Sequence, residues 1–146
     1  MTSIRIIVPG QPIPKARPRL GKHGHVYTPS NTVAYEAAVG YYARQAMKGE
    51  QPYDCPFEVN LRFIFDPPAS WSKTKQRQAV EGLVDCTVSS DIDNLIKAAL
   101  DSANHIIYTD DRKVVKVTAS KDYGPKAQTI IEFIPRIGKI TKAEAA

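Results

Sequence analysis

The chain has few cysteines and no long apolar run. Its 146 residues include only two cysteines, Cys55 and Cys86, which are too few and too far apart for a disulfide framework or a zinc site. No apolar stretch approaches the roughly 20 residues that a helix needs to cross a bilayer. The first residues lack a basic segment followed by an apolar run, so no signal peptide is predicted. These absences favour a protein of the reducing cytoplasm with no membrane partner.

Acidic residues are scarce in the first third of the chain. Residues 1–49 carry seven lysines and arginines against a single acid, Glu36, which leaves a net charge of +6 in a chain whose total is +5. The remainder is therefore close to neutral. Such asymmetry indicates a surface for nucleic acid or another polyanion. A solvated basic face without a partner is the alternative at this point.

Hydrophobic patterning predicts one small α+β domain over residues 1–138, followed by a flexible tail at 139–146. The expected strands are residues 3–8, 57–65, 114–118 and 129–133, and the expected helices are 29–48, 73–80 and 91–103. We expect a mixed or antiparallel sheet of about four strands with two to three helices.

Two expectations concern the first helix and the loop before it. Prolines recur through residues 9–25, which predicts a long loop without regular structure. The helix after it shows apolar or aromatic residues at Val33, Ala37, Tyr41 and Met47. Its tyrosines, Tyr35, Tyr41 and Tyr42, are predicted in the core and in a dimer interface.

Carboxylates gather in the second half of the chain. Asp91 and Asp93 open a helix with a regular apolar stripe, and Asp110-Asp111 follow that helix just before a strand. Carboxylates this dense repel one another unless a cation lies among them, and Asp oxygens suit hard ions such as Mg²⁺ or Mn²⁺. The spacing permits the two acidic pairs to converge if the connection reverses direction.

Simpler interpretations exist for each acid taken alone. Asp91 is then a helix cap, and Asp93 with Lys97 is a surface ion pair worth roughly 0.3–0.5 kcal/mol. Asp110-Asp111 is then a turn before a strand. These interpretations explain less well why four acids gather in a basic chain. If the acids do converge, Lys97 could stabilise charge on a phosphate, while Asn94 and Asp110 could orient the metal-binding carboxylates.

Residues 91–101 (DIDNLIKAALD) and 108–115 (YTDDRKVV) resemble the signature of the RusA family of Holliday junction resolvases. Lys121 also matches a family lysine, and residues 10–19 look like the phage and prophage branch. The resemblance implies a homodimeric endonuclease that cuts four-way DNA junctions symmetrically in recombination and repair, using Mg²⁺ or Mn²⁺. It implies metal-binding catalytic carboxylates at Asp91, Asp93 and Asp111, supported by Lys97.

Basic residues in two segments are the predicted DNA contacts. They are Lys15, Arg17, Arg19 and Lys22 in the N-terminal loop and Lys73, Lys75 and Arg77 in the short helix, with Lys121 as a further candidate. Val88-Ser89-Ser90 stands where the family often has basic residues and a proline, which puts one phosphate contact in doubt. Two rival functions stay open: a non-catalytic binder of branched DNA, and a metal-dependent nuclease acting on other DNA or RNA structures.

Overall fold

A computed structural model describes residues 3–136, and it contains six strands and three α-helices. The strands are β1 (Ile4–Pro9), β2 (Arg19–Leu20), β3 (Val26–Tyr27), β4 (Phe57–Phe65), β5 (Val114–Tyr123) and β6 (Gln128–Pro135). The helices are α1 (Ser30–Met47), α2 (Lys73–Val80) and α3 (Ile92–Ala103). The predicted α+β class is confirmed. The predicted tail, residues 139–146, lies outside the described residues.

The main sheet is mixed, with the strand order β1-β6-β4-β5. β6 pairs antiparallel with both β1 and β4, whereas β4 and β5 run parallel. Parallel neighbours cannot be joined by a tight turn and need a crossover connection. Here α2 and α3 lie in that crossover, so α3 runs back from the end of β5 to its beginning.

Alternation along β4 decides which face of the sheet is covered. Side chains at odd positions from Phe57 to Phe65 are buried, and those at Glu58, Asn60 and Arg62 point to the other face. α1 packs on β1 and on α3, and α3 also packs on β5. Leu95 of α3 is completely buried under this layer, and burial of such a side chain contributes about 1.5–3 kcal/mol. Because one side of α3 is buried in this way, the residues on its other side point outward.

Three of the four apolar or aromatic positions noted on α1 are exposed. Val33 and Tyr41 are 52% and 55% exposed, Ala37 is also exposed, and Met47 is buried. The buried positions of α1 are Thr32, Tyr35, Val39, Gly40, Ala43 and Met47. Apolar side chains occur on both sides of this helix, so its pattern alone does not select a face. Tyr35 is buried as predicted, and its hydroxyl lies 2.6 Å from that of Thr129. The helix also starts one residue late, since Pro29 is its N-cap.

Residues 9–25 contain more structure than their prolines suggested. The last of those prolines is Pro18, and β2 begins directly after it and pairs antiparallel with β3. β5 is also longer than expected, continuing to Tyr123 rather than ending near Thr118. The boundaries of β4 and α2 are as predicted, and Ser72 caps α2 by accepting a hydrogen bond from the Lys75 backbone amide. Within residues 3–136, none of the helices has the length and apolar character needed to span a membrane.

Candidate active site and nucleic-acid surface

Asp91 and Asp93 lie at the N-terminal end of α3, both exposed to solvent. Asp91 is the N-cap residue, but its side chain makes no capping hydrogen bond. Neither carboxylate forms an ion pair within 4 Å in the part of the chain that the structure describes. The helix dipole favours negative charge at this end. Two carboxylates within one turn therefore keep their oxygens available for a cation.

Lys97 and Asn94 follow on the same helix. Lys97 is exposed one turn after Asp93, yet no ion pair joins these two side chains within residues 3–136. The structure therefore does not contain the surface ion pair between Asp93 and Lys97 that the simpler interpretation predicted. Asn94 is half-buried, and its backbone carbonyl accepts a 2.8 Å hydrogen bond from the amide of Lys15. The N-terminal loop thus crosses α3 next to the acidic pair.

Asp110 and Asp111 differ in what surrounds them. Asp110 accepts a 2.8 Å hydrogen bond from the backbone amide of Arg112 and lies 3.2 Å from its guanidinium. The hydrogen bond from the Arg112 backbone amide, and after it the Arg112 charge, hold the pKa of Asp110 below its usual value. Asp110 is therefore a turn residue, as its simpler interpretation predicted. Asp111 begins the following 3-10 turn, exposed and without an ion pair in the described residues.

The two acidic pairs do not converge within one chain. The ammonium of Lys121, near the end of β5, contacts the carbonyl of Ser90 beside Asp91. Asp111 precedes the beginning of the same strand, near Tyr108, whose hydroxyl bonds the Leu100 carbonyl at the other end of α3. The twelve residues of α3 span roughly 18 Å. Across residues 3–136, no three histidine, cysteine, aspartate or glutamate side chains are grouped to hold a metal ion.

Burial and acidic neighbours mark the C-terminal end of α3. Burial raises the pKa of Tyr108, and the charges of Asp111 and Asp101 raise it further. Asp101 is in the last turn of α3 and Asp111 lies just before β5, so both acids are at this end, away from Asp91 and Asp93.

Lys15 is held between α1 and α3. Its ammonium lies 2.7 Å from the Glu36 carboxylate and 3.8 Å from that of Asp101. The hydrogen bond to Glu36 is the main reason that the pKa of Lys15 is raised. The predicted phosphate contact of Lys15 must therefore compete with two carboxylates. This cluster was not predicted from the sequence, although Glu36 is the only acid in the first 49 residues and therefore the only one there that a nearby cation could pair with.

Exposed basic side chains border the N-terminal half of α3. Arg17, Arg19 and Lys22 are exposed, and Arg17 follows within roughly 7 Å of the point where the loop crosses α3. On α2, Lys73, Lys75 and Arg77 are also exposed. The N-terminal basic segment thus begins close to the acidic pair.

Trp71 connects α2 to the end of β5. The Lys75 ammonium lies 3.9 Å from the centre of the Trp71 ring, which packs edge-on against Tyr123 at 5.4 Å. Tyr123 is two residues beyond Lys121, whose ammonium reaches the segment before Asp91. α2 therefore lies at the same end of the molecule as Asp91, and Trp71 packs at the edge of the core.

A pair of exposed carboxylates between two basic segments, on a small α+β domain, is typical of an enzyme that acts on nucleic acid. The model of the family described as Endodeoxyribonuclease RusA matches residues 9–134. The chain belongs to this family of endodeoxyribonucleases, which act on branched DNA junctions. It is also 31% identical over 141 residues to the "Uncharacterized protein YqaN" of Bacillus subtilis (strain 168), covering 92% of this chain and 99% of that protein.

Proposed function

We propose that this protein is a divalent-metal-dependent endonuclease that resolves four-way DNA junctions by paired, symmetric cuts. The observation that carries the proposal is the pair of uncompensated carboxylates, Asp91 and Asp93, between the two basic segments. Junction resolution would serve DNA recombination and repair in the cytoplasm. The likeness of residues 10–19 to the phage branch favours a phage or prophage setting.

The metal that we propose is Mg²⁺, with Mn²⁺ as a substitute. Asp91 and Asp93 fit one side of such a site, because both offer unpaired oxygens at the positive end of a helix. A bound ion of this kind polarises a phosphodiester and lowers the pKa of a bound water. Asp111 does not complete the site in the same chain, since it lies at the opposite end of α3. The missing carboxylate must come from elsewhere.

A second copy of the chain is the source that we propose for it. A two-fold axis perpendicular to α3 and beside it would set the helices of two copies side by side in opposite directions, so that Asp111 of one copy would approach Asp91 and Asp93 of the other. Two identical sites result, each built from both chains. Paired sites related by a two-fold axis match a junction that has two-fold symmetry itself and suit paired cuts.

The free edge of β5 is suited to this pairing. Among residues 3–136, β5 is an edge strand of ten residues with one unpaired side, and such edges readily accept another strand. If two β5 strands met antiparallel about Lys116, Asp111 of one copy would lie opposite Lys121 of the other, five residues either side of the axis. Val115 and Val117, which are 53% and 40% exposed, would then lie opposite each other.

Each remaining basic residue has a proposed place in DNA binding. Arg17, Arg19 and Lys22 on one side of α3 and Lys73, Lys75 and Arg77 on the other would contact phosphates, which position DNA without reading its sequence. Lys97, between them and next to Asp93, would stabilise negative charge on the phosphate that is attacked. Binding of this kind weakens steeply as salt concentration rises.

Cleavage of a labelled synthetic four-way junction tests the proposal. The wild type should give paired nicks only with Mg²⁺ or Mn²⁺. Asp93→Asn should lower the cleavage rate by roughly a thousandfold while junction binding stays equal or becomes tighter, because a repelling charge is removed. Asp101→Asn is the matched control: the same substitution two turns along α3 should leave the rate within about threefold.

Three outcomes separate the proposal from its rivals. Tight junction binding without product in either metal would identify a non-catalytic binder of branched DNA. Faster cleavage of single strands, flaps or RNA than of the junction would identify a different nuclease. Equal cleavage by the wild type and Asp93→Asn would show that Asp93 has no catalytic role.

A further inference from the structure

We propose that Lys121 is a positioning residue that fixes the backbone in front of Asp91 and so sets the orientation of the acidic pair. The inference rests on the proposed function of Asp91 and Asp93. It differs from the phosphate contact that the sequence suggested for this lysine, because the ammonium is directed at the protein's own backbone.

The position of Lys121 follows from the register of the sheet. Lys121 is on β5, opposite Phe63 of β4. Its side chain is half-buried on the face of the sheet that α3 covers. Its Nζ donates hydrogen bonds to the carbonyls of Val88 at 3.2 Å and of Ser90 at 3.0 Å. One side chain thus holds two points of a segment that is more than thirty residues away in sequence.

Residues 88–90 have little else to hold them. They belong to no helix or strand, and Asp91 adds no side-chain cap. Within residues 3–136, the Val88 and Ser90 carbonyls have no other hydrogen-bond donor. A hydrogen bond from a charged donor is roughly twice as strong as one between neutral groups. Without Lys121, the entry into α3 would therefore be substantially freer to move.

The charge of Lys121 has a second consequence. No acid lies within 4 Å of its ammonium in the described part of the chain. A cation is unfavourable at the N-terminal end of an isolated helix, but here it contacts the carbonyl of Ser90, directly before the first of two carboxylates that repel each other. Val88-Ser89-Ser90 contains no basic residue. Lys121 of β5 therefore supplies the positive charge that this segment lacks.

Three variants test the positioning role: Lys121→Met, Lys121→Arg and the control Lys126→Met. Lys126 is exposed in the turn between β5 and β6. In Lys121→Met, amide hydrogen exchange at residues 88–94 should accelerate about tenfold, because two charge-assisted hydrogen bonds are lost. Lys121→Arg and Lys126→Met should exchange as the wild type does.

Two further readouts separate positioning from DNA contact. The Mn²⁺ dissociation constant, measured by calorimetry without DNA, should rise about tenfold in Lys121→Met, as is typical for residues that orient metal ligands. Junction affinity without metal should change less than about twofold, because no phosphate contact is lost. If Lys121→Met unfolds, Lys121→Gln replaces it in the same measurements.

Wild-type exchange and wild-type Mn²⁺ affinity in Lys121→Met would overturn the inference. A large loss of junction affinity with unchanged exchange would assign Lys121 to DNA instead. These measurements do not depend on cleavage. A wild type that does not cut junctions would therefore contradict the proposed function while the exchange data still decide the role of Lys121.

Discussion

The two ends of α3 carry the same type of residue in different surroundings. At the N-terminal end, Asp91 and Asp93 are exposed and have no paired cation within residues 3–136. At the C-terminal end, Lys15 approaches Asp101 and Arg112 binds Asp110, so that Asp111 alone is left without an ion pair in the same part of the chain. The neighbours of an aspartate, more than its place in a motif, decide whether its carboxylate is free for chemistry.

The contrast also shows what one chain can build. A helix that crosses between parallel strands separates its two ends by its own length, so acids before and after it cannot meet. When a two-fold axis places the α3 of a second copy alongside in the opposite direction, the acids at the N-terminal end of one helix meet those at the C-terminal end of the other. Our account therefore divides the acidic site between two copies.

The largest expected effect in the C-terminal acidic region comes from a comparison of adjacent aspartates. Asp111→Asn should lower junction cleavage by about a hundredfold or more, because a free carboxylate of the proposed metal site is lost. Asp110→Asn should stay within about threefold, since an asparagine oxygen still accepts the Arg112 amide hydrogen bond. Single-turnover cleavage of the junction measures both rates. Equal losses in the two variants would contradict the different uses that we assign to them.

A smaller effect is expected from the basic residues that border the N-terminal end. Arg17→Gln and Lys75→Gln should each weaken junction binding several-fold and reduce the slope of log K against log salt by about 1. Lys48→Gln is the control, since Lys48 is exposed and its chain neighbours Met47 and Gly49 line a pocket with His105, just after the C-terminal end of α3. Binding titrations across salt concentrations measure the slopes. A larger effect of Lys48→Gln than of the other two substitutions would show that DNA binds at the C-terminal end of α3, which contradicts our account.

The smallest effect concerns the lysine that neutralises the C-terminal end. Lys15→Met should lower the free energy of unfolding by about 0.5–1 kcal/mol, because a partly exposed ion pair is lost. Since Glu36 raises the pKa of Lys15 above its ordinary value of 10.5, the pair's stabilisation is full below pH 10.5. It is lost as the pH rises through the folded pKa. Urea titrations at pH 7 and pH 11.5 should show a smaller difference from the wild type at the higher pH.

Local patterns predicted the elements that carry the site. Strict alternation marks β4 from Phe57 to Phe65, and the apolar stripe of α3 places Leu95 in the core. Such patterns determine an element because each face meets a different environment. The exposure of Asp93 follows directly, since the stripe leaves it no place in the core.

These local patterns did not predict how the strands and helices are arranged relative to one another. Nothing within β4 or β5 tells whether the two strands pair or in which direction, so the sequence permitted Asp111 to approach Asp91. Parallel pairing decides the matter, and it depends on the whole sheet. In the same way, α1 has apolar residues on several sides, and only packing on α3 and β1 selects Tyr35 over Tyr41 as a core residue.

Mixed dimers of two inactive variants test the division of the site most directly. Asp91→Asn and Asp111→Asn, co-expressed with different tags and purified through both, should form a dimer in which one site carries both substitutions and the other is intact. Our account predicts that each variant alone is inactive, whereas the mixed dimer nicks the junction in Mg²⁺ with about half of the wild-type sites. A mixed dimer as inactive as its parents would show that each chain builds its site alone.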